Sequence, residues 1–147
     1  MTTSKSQQQT MSIGKQIAIK LRGGDIVLLR GDLGAGKTTL VKGIAFGLGI
    51  KEKITSPTFT LMNVHEVKSQ KFIKSKVKNM VHIDTYRLKN ENELIEIGVE
   101  DYLGEKDYIC VIEWPEKITG LLQGKKTMMV DIESVEKNER KIRVNSE

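Results

Sequence analysis

Three short runs of nearly unbroken apolar residues stand out along the chain: Ile26-Val27-Leu28-Leu29, Met80-Val81-His82-Ile83 and Tyr108-Ile109-Cys110-Val111-Ile112. A strand with one wet face alternates apolar and polar side chains, whereas an unbroken run needs cover on both faces, as in a parallel sheet coated by helices. Between these runs the period lengthens. Over residues 11–21, Met11, Ile17, Ala18 and Leu21 give a helical pattern that Gly23-Gly24 ends. Over residues 37–48, Leu40, Val41, Ile44, Ala45 and Leu48 line one side of a second helix, with Gly49 as its stop. A short acidic helix is predicted at 91–97, closed by Gly98. A strand is expected at 59–64, after Ser56-Pro57, and two weaker strands at 127–132 and 141–144 close the chain. Residues 1–10 read as a flexible lead-in. Strands alternating with helices predict a single α/β domain over 1–147, with a mostly parallel central sheet flanked by helices.

Composition narrows the function classes. The 147 residues are 38% hydrophobic and 29% charged, as in an ordinary folded protein. Only 5% are aromatic, which argues against a stacking platform for single-stranded nucleic acid. No apolar run reaches the roughly 18–20 residues of a membrane helix, and the polar start MTTSKSQQQT lacks the apolar core of a secretory signal. A lone cysteine, Cys110, forms no internal disulfide. A soluble, cytoplasmic protein without a membrane partner is expected. Lys+Arg 24 against Asp+Glu 19 gives a net charge of +5, which favours anionic partners such as RNA or phosphate-bearing ligands. Much of the excess lies in Lys68, Lys71, Lys74, Lys76 and Lys78, read as a solvated loop or hairpin whose lysines are also placed to touch an RNA backbone.

The chemistry begins at Gly31-Asp-Leu-Gly-Ala-Gly36-Lys37-Thr38, which satisfies G-x-x-x-x-G-K-[ST] at every required position. A polyphosphate gives up a strong hydration shell only to something equally polar. Glycines let the main chain wrap close with its N–H groups turned inward, and the following helix aims its positive end at the same point. Lys37 is placed to reach the β- and γ-phosphates and the Thr38 hydroxyl to ligate Mg²⁺. Chance produces such a match in roughly one per cent of chains this long, and here it follows a buried-strand pattern and opens a helix. The fold expectation sharpens to a P-loop NTPase-like one, and no N-K-x-D element supports guanine, so ATP is the expected nucleotide.

Phosphoryl transfer also needs a carboxylate near the metal and a group that positions water. Asp84 and Glu113 each follow an apolar strand, where ligands gather in open α/β sheets. These residues alone leave open which of the two is the metal ligand and which acts on water, and an acidic cap is the plainer role for either. His82 reads as a buried, hydrogen-bonded histidine, or as one that orients Asp84. Trp114 reads as packing, as a cover on the site or as a partner contact. Ser56-Pro57-Thr58 is an ordinary proline turn or a mobile segment sensing the γ-phosphate.

The assembled motifs resemble the bacterial TsaE family, also called YjeE. The resemblance rests on Gly31 to Thr39, on Ser56-Pro-Thr-Phe-Thr60, on His82-Ile-Asp-Thr-Tyr-Arg87 and on Ile112-Glu-Trp-Pro115, in the family's order across about residues 10–115. The phosphate loop is shared with many NTPases, and the four-motif combination is far more specific. The resemblance implies a small ATPase required for threonylcarbamoyladenosine formation on tRNAs that read codons beginning with A. It further implies that Leu33, Gly34, Ala35, Gly36, Lys37, Thr38 and Thr39 hold the phosphates, and that Thr38 and Glu113 bind Mg²⁺. Asp84 would serve hydrolysis, Thr58 would belong to a switch-like segment, Trp114 matches the tryptophan beside the metal ligand, and Thr10 and Arg140 would lie near the nucleotide. Two departures stand out: Glu139 occupies the position before Arg140 where the family has glycine, and the stretch between Thr60 and His82 is longer. By the same resemblance a TsaD–TsaB pair transfers the threonylcarbamoyl group, and this chain would bind that pair, hydrolyse ATP weakly alone and meet tRNA indirectly, with direct contact left open. Two other readings are a small-molecule kinase, which shares the phosphate loop, and a basic RNA-binding module with a vestigial nucleotide site.

Overall fold

A computed structural model of the chain describes residues 1–57, 59–68 and 76–146. Seven strands form one sheet: β1 (Thr2–Ser4), β2 (Ile26–Arg30), β3 (Met62–Glu66), β4 (Asn79–Asp84), β5 (Tyr108–Glu113), β6 (Thr127–Glu136) and β7 (Glu139–Ser146). The order across the sheet is β1-β7-β6-β2-β5-β4-β3. Among the described residues four α-helices, α1 (Gln7–Lys20), α2 (Lys37–Gly47), α3 (Asn92–Glu96) and α4 (Thr119–Leu122), and two short 3₁₀ helices at Val99–Asp101 and Pro115–Ile118 complete the order.

The three apolar runs are the centre of this sheet, as β2, β4 and β5, and each is covered on both faces. Val27, Leu29, Met80, Ile109 and Val111 pack with Ile17 and Ala18 of α1 and Leu40, Val41 and Ile44 of α2. Ile26, Leu28, Val81, Ile83, Cys110 and Ile112 pack on the opposite side, with Leu94 of α3 and the chain around Val99 and Ile118. Burial on both sides explains why these strands lack alternation. Among the described residues no helix is long and apolar enough to cross a membrane.

The sheet is less parallel than the sequence pattern predicts. β6, β2, β5 and β4 run parallel, but β1–β7, β7–β6 and β3–β4 pair antiparallel. The reason is connection length. Lys137 and Asn138 alone separate β6 from β7, and a two-residue link forces an antiparallel return, whereas parallel neighbours need a crossover.

The first ten residues are not a loose lead-in. β1 pairs with β7 in the register Thr2↔Ile142, and α1 starts at Gln7 rather than at residue 11. Ser6 caps this helix by accepting from the Gln9 N–H at 3.1 Å, and the Gln9 side chain accepts in return from the Lys5 N–H at 2.6 Å. This near-reciprocal pair resembles a capping box. The strand expected at 59–64 begins at Met62 instead, because Leu61 adopts a left-handed φ of 63° that breaks the extended run. Lys71 and Lys74 of the lysine-rich stretch lie outside the described residues, while exposed Lys78 approaches Asp107 at 3.4 Å.

Candidate functional site

The face of the sheet covered by α1 and α2 changes character as the strands near their carboxyl ends. Along β4 the inward row reads Met80, His82, Asp84, and the aligned row of β5 reads Ile109, Val111, Glu113, with Asp84 directly beside Glu113. β2 completes the edge, since Leu29 aligns with Glu113 and leads into the loop at Gly31. An apolar floor thus turns acidic where the phosphate loop crosses it.

The loop itself is shaped to donate. Gly34 and Gly36 have φ of 79° and 105°, values that an L side chain adopts only with strain. Gly36 is the N-cap of α2 and offers no side-chain cap, so the first-turn amides point into open space. Among the described residues, the N–H groups of Gly34, Gly36, Lys37 and Thr38 have no protein acceptor. Unsatisfied donors at the positive end of a helix fit a phosphate.

Lys37 is 6% exposed, and its Nζ donates to the Gly31 carbonyl and, at 3.1 Å, to that of Asp32. The same Nζ lies 4.0 Å from the centre of the Trp114 ring. Burial pulls this ammonium below the ordinary lysine range, and the negative charges of Glu113 and Asp84 oppose that pull. Burial raises the Asp84 carboxyl above its usual range; a Tyr86 N–H bonded to its Oδ1 at 2.9 Å works against this, and the charge of Glu113 adds to it.

Glu113 is 2% exposed, and its Oε2 accepts from His82 Nε2 at 2.6 Å. The sequence offered Asp84 as the group His82 orients; the structure bonds it to Glu113. Trp114 follows with a left-handed φ of 62°. Its N–H donates to the Leu29 carbonyl at 3.3 Å, and the buried Thr85 hydroxyl donates to its carbonyl and, at 3.1 Å, to that of Glu113. The ring also packs on Tyr86, with centroids 5.0 Å apart. Thr85 stands within the His82–Arg87 motif but receives no role from the sequence; its hydroxyl ties the end of β4 to the carbonyls of Glu113 and Trp114.

These residues line one cleft of about 460 Å³. It gathers residues 33–39 with Ser56, Asp84, Tyr86, Arg87, Glu113 and Trp114. The Thr38 hydroxyl lies 3.0 Å from Ser56 Oγ, tying the loop to the Ser-Pro segment. Thr58 lies outside the described residues. An adjoining recess of about 160 Å³ is lined by Ser6, Thr10, Gly34, Thr39, Asn138 and Arg140. Arg140 Nη2 donates to the Gly34 carbonyl at 3.4 Å, and Thr10 Oγ1 pairs with Ser4 Oγ at 2.7 Å. Helix α1 and the β6–β7 hairpin therefore bring Thr10 and Arg140 beside the phosphate loop from opposite ends of the chain. The donor set also fits a hard divalent cation: oxygen ligands from Thr38 and Glu113 face one cleft, and Glu113 Oε1 has no protein partner among the described residues.

Comparison with known proteins agrees with this construction. Residues 4–142 match the family model described as "Threonylcarbamoyl adenosine biosynthesis protein TsaE". A protein of Treponema pallidum named tRNA threonylcarbamoyladenosine biosynthesis protein TsaE is 40% identical over 119 residues, 81% of either chain. One of the same name from Aquifex aeolicus is 33% identical over 142 residues, 95% of this chain and 91% of that one. The crystal structure of YdiB from Bacillus subtilis superposes with a TM-score of 0.71 at 29% identity, covering 99% of this chain and 83% of its own. The phosphate loop, the paired acids at the strand ends and these matches together make the chain a member of the TsaE family.

Proposed function

We propose that the chain is a Mg²⁺-dependent ATPase that serves threonylcarbamoyladenosine formation on tRNA by acting on a TsaD–TsaB pair. The names borne by its relatives support the pathway. The observation that carries the chemistry is the meeting, in one cleft, of unpaired loop amides, Lys37, Thr38, Asp84 and Glu113.

Each group has a distinct task in this reading. The amides of Gly34, Gly36, Lys37 and Thr38 bind phosphate oxygens, and Lys37 exchanges its carbonyl partners for the β- and γ-phosphates. Thr38 and Glu113 hold Mg²⁺, which supplies positive charge against the charge gathering on the phosphate oxygens. Asp84, half-buried and raised in pKa, orients the attacking water and accepts its proton. Thr10 and Arg140 contact the base side of the nucleotide, and Thr58 belongs to the segment that senses the γ-phosphate. Leu33, Phe59 and Tyr86, exposed by 66%, 87% and 42%, offer apolar contact beside the cleft to a protein partner.

The deciding experiment measures ADP release by the chain alone, with a TsaD–TsaB pair, and with small acceptor molecules. Stimulation by the protein pair supports the proposal. Stimulation by a small acceptor points to a kinase, and salt-dependent RNA binding that survives Lys37→Ala points to an RNA-binding module.

A further inference from the structure

The geometry points to His82 as a positioning residue that fixes the Glu113 carboxylate for its cation, an inference that rests on the Mg²⁺-ATPase reading above. His82 and Asp84 stand two residues apart on β4, so both side chains project to one face, and the register sets Asp84 beside Glu113. The imidazole therefore reaches Glu113 diagonally across the strands, from deeper in the sheet. Its Nε2 lies 2.6 Å from Oε2, with the two side chains 0% and 3% exposed. An ionised carboxylate only accepts, so the ring N–H donates, and a bond this short to a charged acceptor holds the carboxylate's rotation firmly.

Three observations separate positioning from mere packing. The ring's other nitrogen, Nδ1, is buried with no partner among the described residues, so within them the histidine's polar reach ends on Glu113. A leucine at this point in the core would spare the fold that unpaired atom, and the histidine's presence is explained by what it does to the carboxylate. One Glu113 oxygen is taken by His82, while Oε1 has no protein partner among the described residues and the residue lines the cleft. A carboxylate with one oxygen clamped and the other turned to the site presents a single, oriented ligand atom. Outer partners of this kind commonly govern metal affinity by about 10–100-fold.

The test compares His82→Gln, His82→Asn and His82→Leu. Glutamine places an amide nitrogen as many bonds from Cβ as the ring Nε2, and asparagine falls one atom short. The readouts are the Mg²⁺ concentration that half-saturates ADP binding, followed by Trp114 emission, ADP binding in EDTA, and thermal melting without metal. Wild-type protein comes first: absence of Mg²⁺-dependent ADP binding there overturns the site's reading, and this role with it. Given that dependence, the expected result for Asn and Leu is a half-saturation raised about 10–100-fold, with binding in EDTA unchanged. Gln should stay within about threefold of wild type because its amide restores the bond. If the Leu variant does not fold, the Asn and Gln pair decides. Wild-type Mg²⁺ dependence in Asn, or a loss in Gln equal to that in Asn, overturns the inference.

Discussion

Replacing Lys37 by alanine isolates the ammonium's share of nucleotide binding. Charged hydrogen bonds are worth about 1.5–3 kcal/mol each, so contacts to two phosphates gain about 3–6 kcal/mol gross. The free protein already satisfies part of that charge. Nζ donates to the Gly31 and Asp32 carbonyls and sits 4.0 Å from the Trp114 ring, contacts worth about 2–3 kcal/mol together that binding must give up. The net loss in Lys37→Ala is about 1–3 kcal/mol, or about 5–150-fold in Kd. Calorimetry with a non-hydrolysable ATP analogue at saturating Mg²⁺ measures it. The unliganded fold should survive, because burial already disfavours the charge. Between the depressed Lys37 pKa and the ordinary 10.5, the unfolded chain binds more protons than the native one, so stability rises with pH. The alanine variant should lack that rise. An affinity for that analogue within about threefold of wild type, less than about 0.7 kcal/mol, would refute this magnitude.

Asp84→Asn should leave ADP affinity nearly intact while hydrolysis falls by about 10²-fold or more, as for loss of a general base. Because its carboxyl is raised by burial, the native state binds more protons between 3.8 and the raised value, and stability falls as pH climbs through that window. The asparagine variant should therefore melt higher than wild type near neutrality and lose this advantage in strong acid. Thr85→Val removes the buried hydroxyl that donates to the carbonyls of Glu113 and Trp114; a loss of about 1–3 kcal/mol in denaturant unfolding is expected, with a red-shifted Trp114 emission as the indole loosens. Gly43→Ala drives a Cβ to within 2.2 Å of the Met11 carbonyl. Since that neighbour is backbone, the α1–α2 contact must open at a cost of about 1–3 kcal/mol by chemical denaturation. Gly34→Ala meets nothing within 4 Å, but φ of 79° restricts its cost to backbone strain of about 1–2 kcal/mol.

The sheet's centre was legible because β2, β4 and β5 are short, unbroken and each ends in a residue of a different kind. The phosphate loop was legible because its chemistry is local: eight consecutive residues carry the glycines, the lysine and the hydroxyl. What escaped depends on pairing between distant segments. β1 looks like a polar tail because it is an edge strand with two of its three residues exposed, paired in the sheet with β7 at the far end of the chain. The outer end of β6 and the turn after it are exposed over 133–138, so no apolar face announced that the hairpin reaches past Ile132. A buried, hydrogen-bonded His82 was expected and is found, but its partner Glu113 was not read, for a similar reason. Asp84 is near in sequence, while Glu113 is near only through the β4–β5 register, which no single segment encodes. The early start of α1 was signalled by Ser6-x-x-Gln9, a cap pattern that precedes the helix's first apolar residue and is masked by three consecutive glutamines.

The central claim is that main-chain donors of residues 34–38 grip a nucleotide's phosphates. Amide nitrogen–proton spectra of labelled protein, titrated with ADP and Mg²⁺, test it without relying on turnover. Large shifts are expected at Gly34, Gly36, Lys37 and Thr38, lost in Lys37→Ala at the same ligand concentration. Amides that stay in place while ADP reaches millimolar levels, or shifts confined to another face of the sheet, would contradict it.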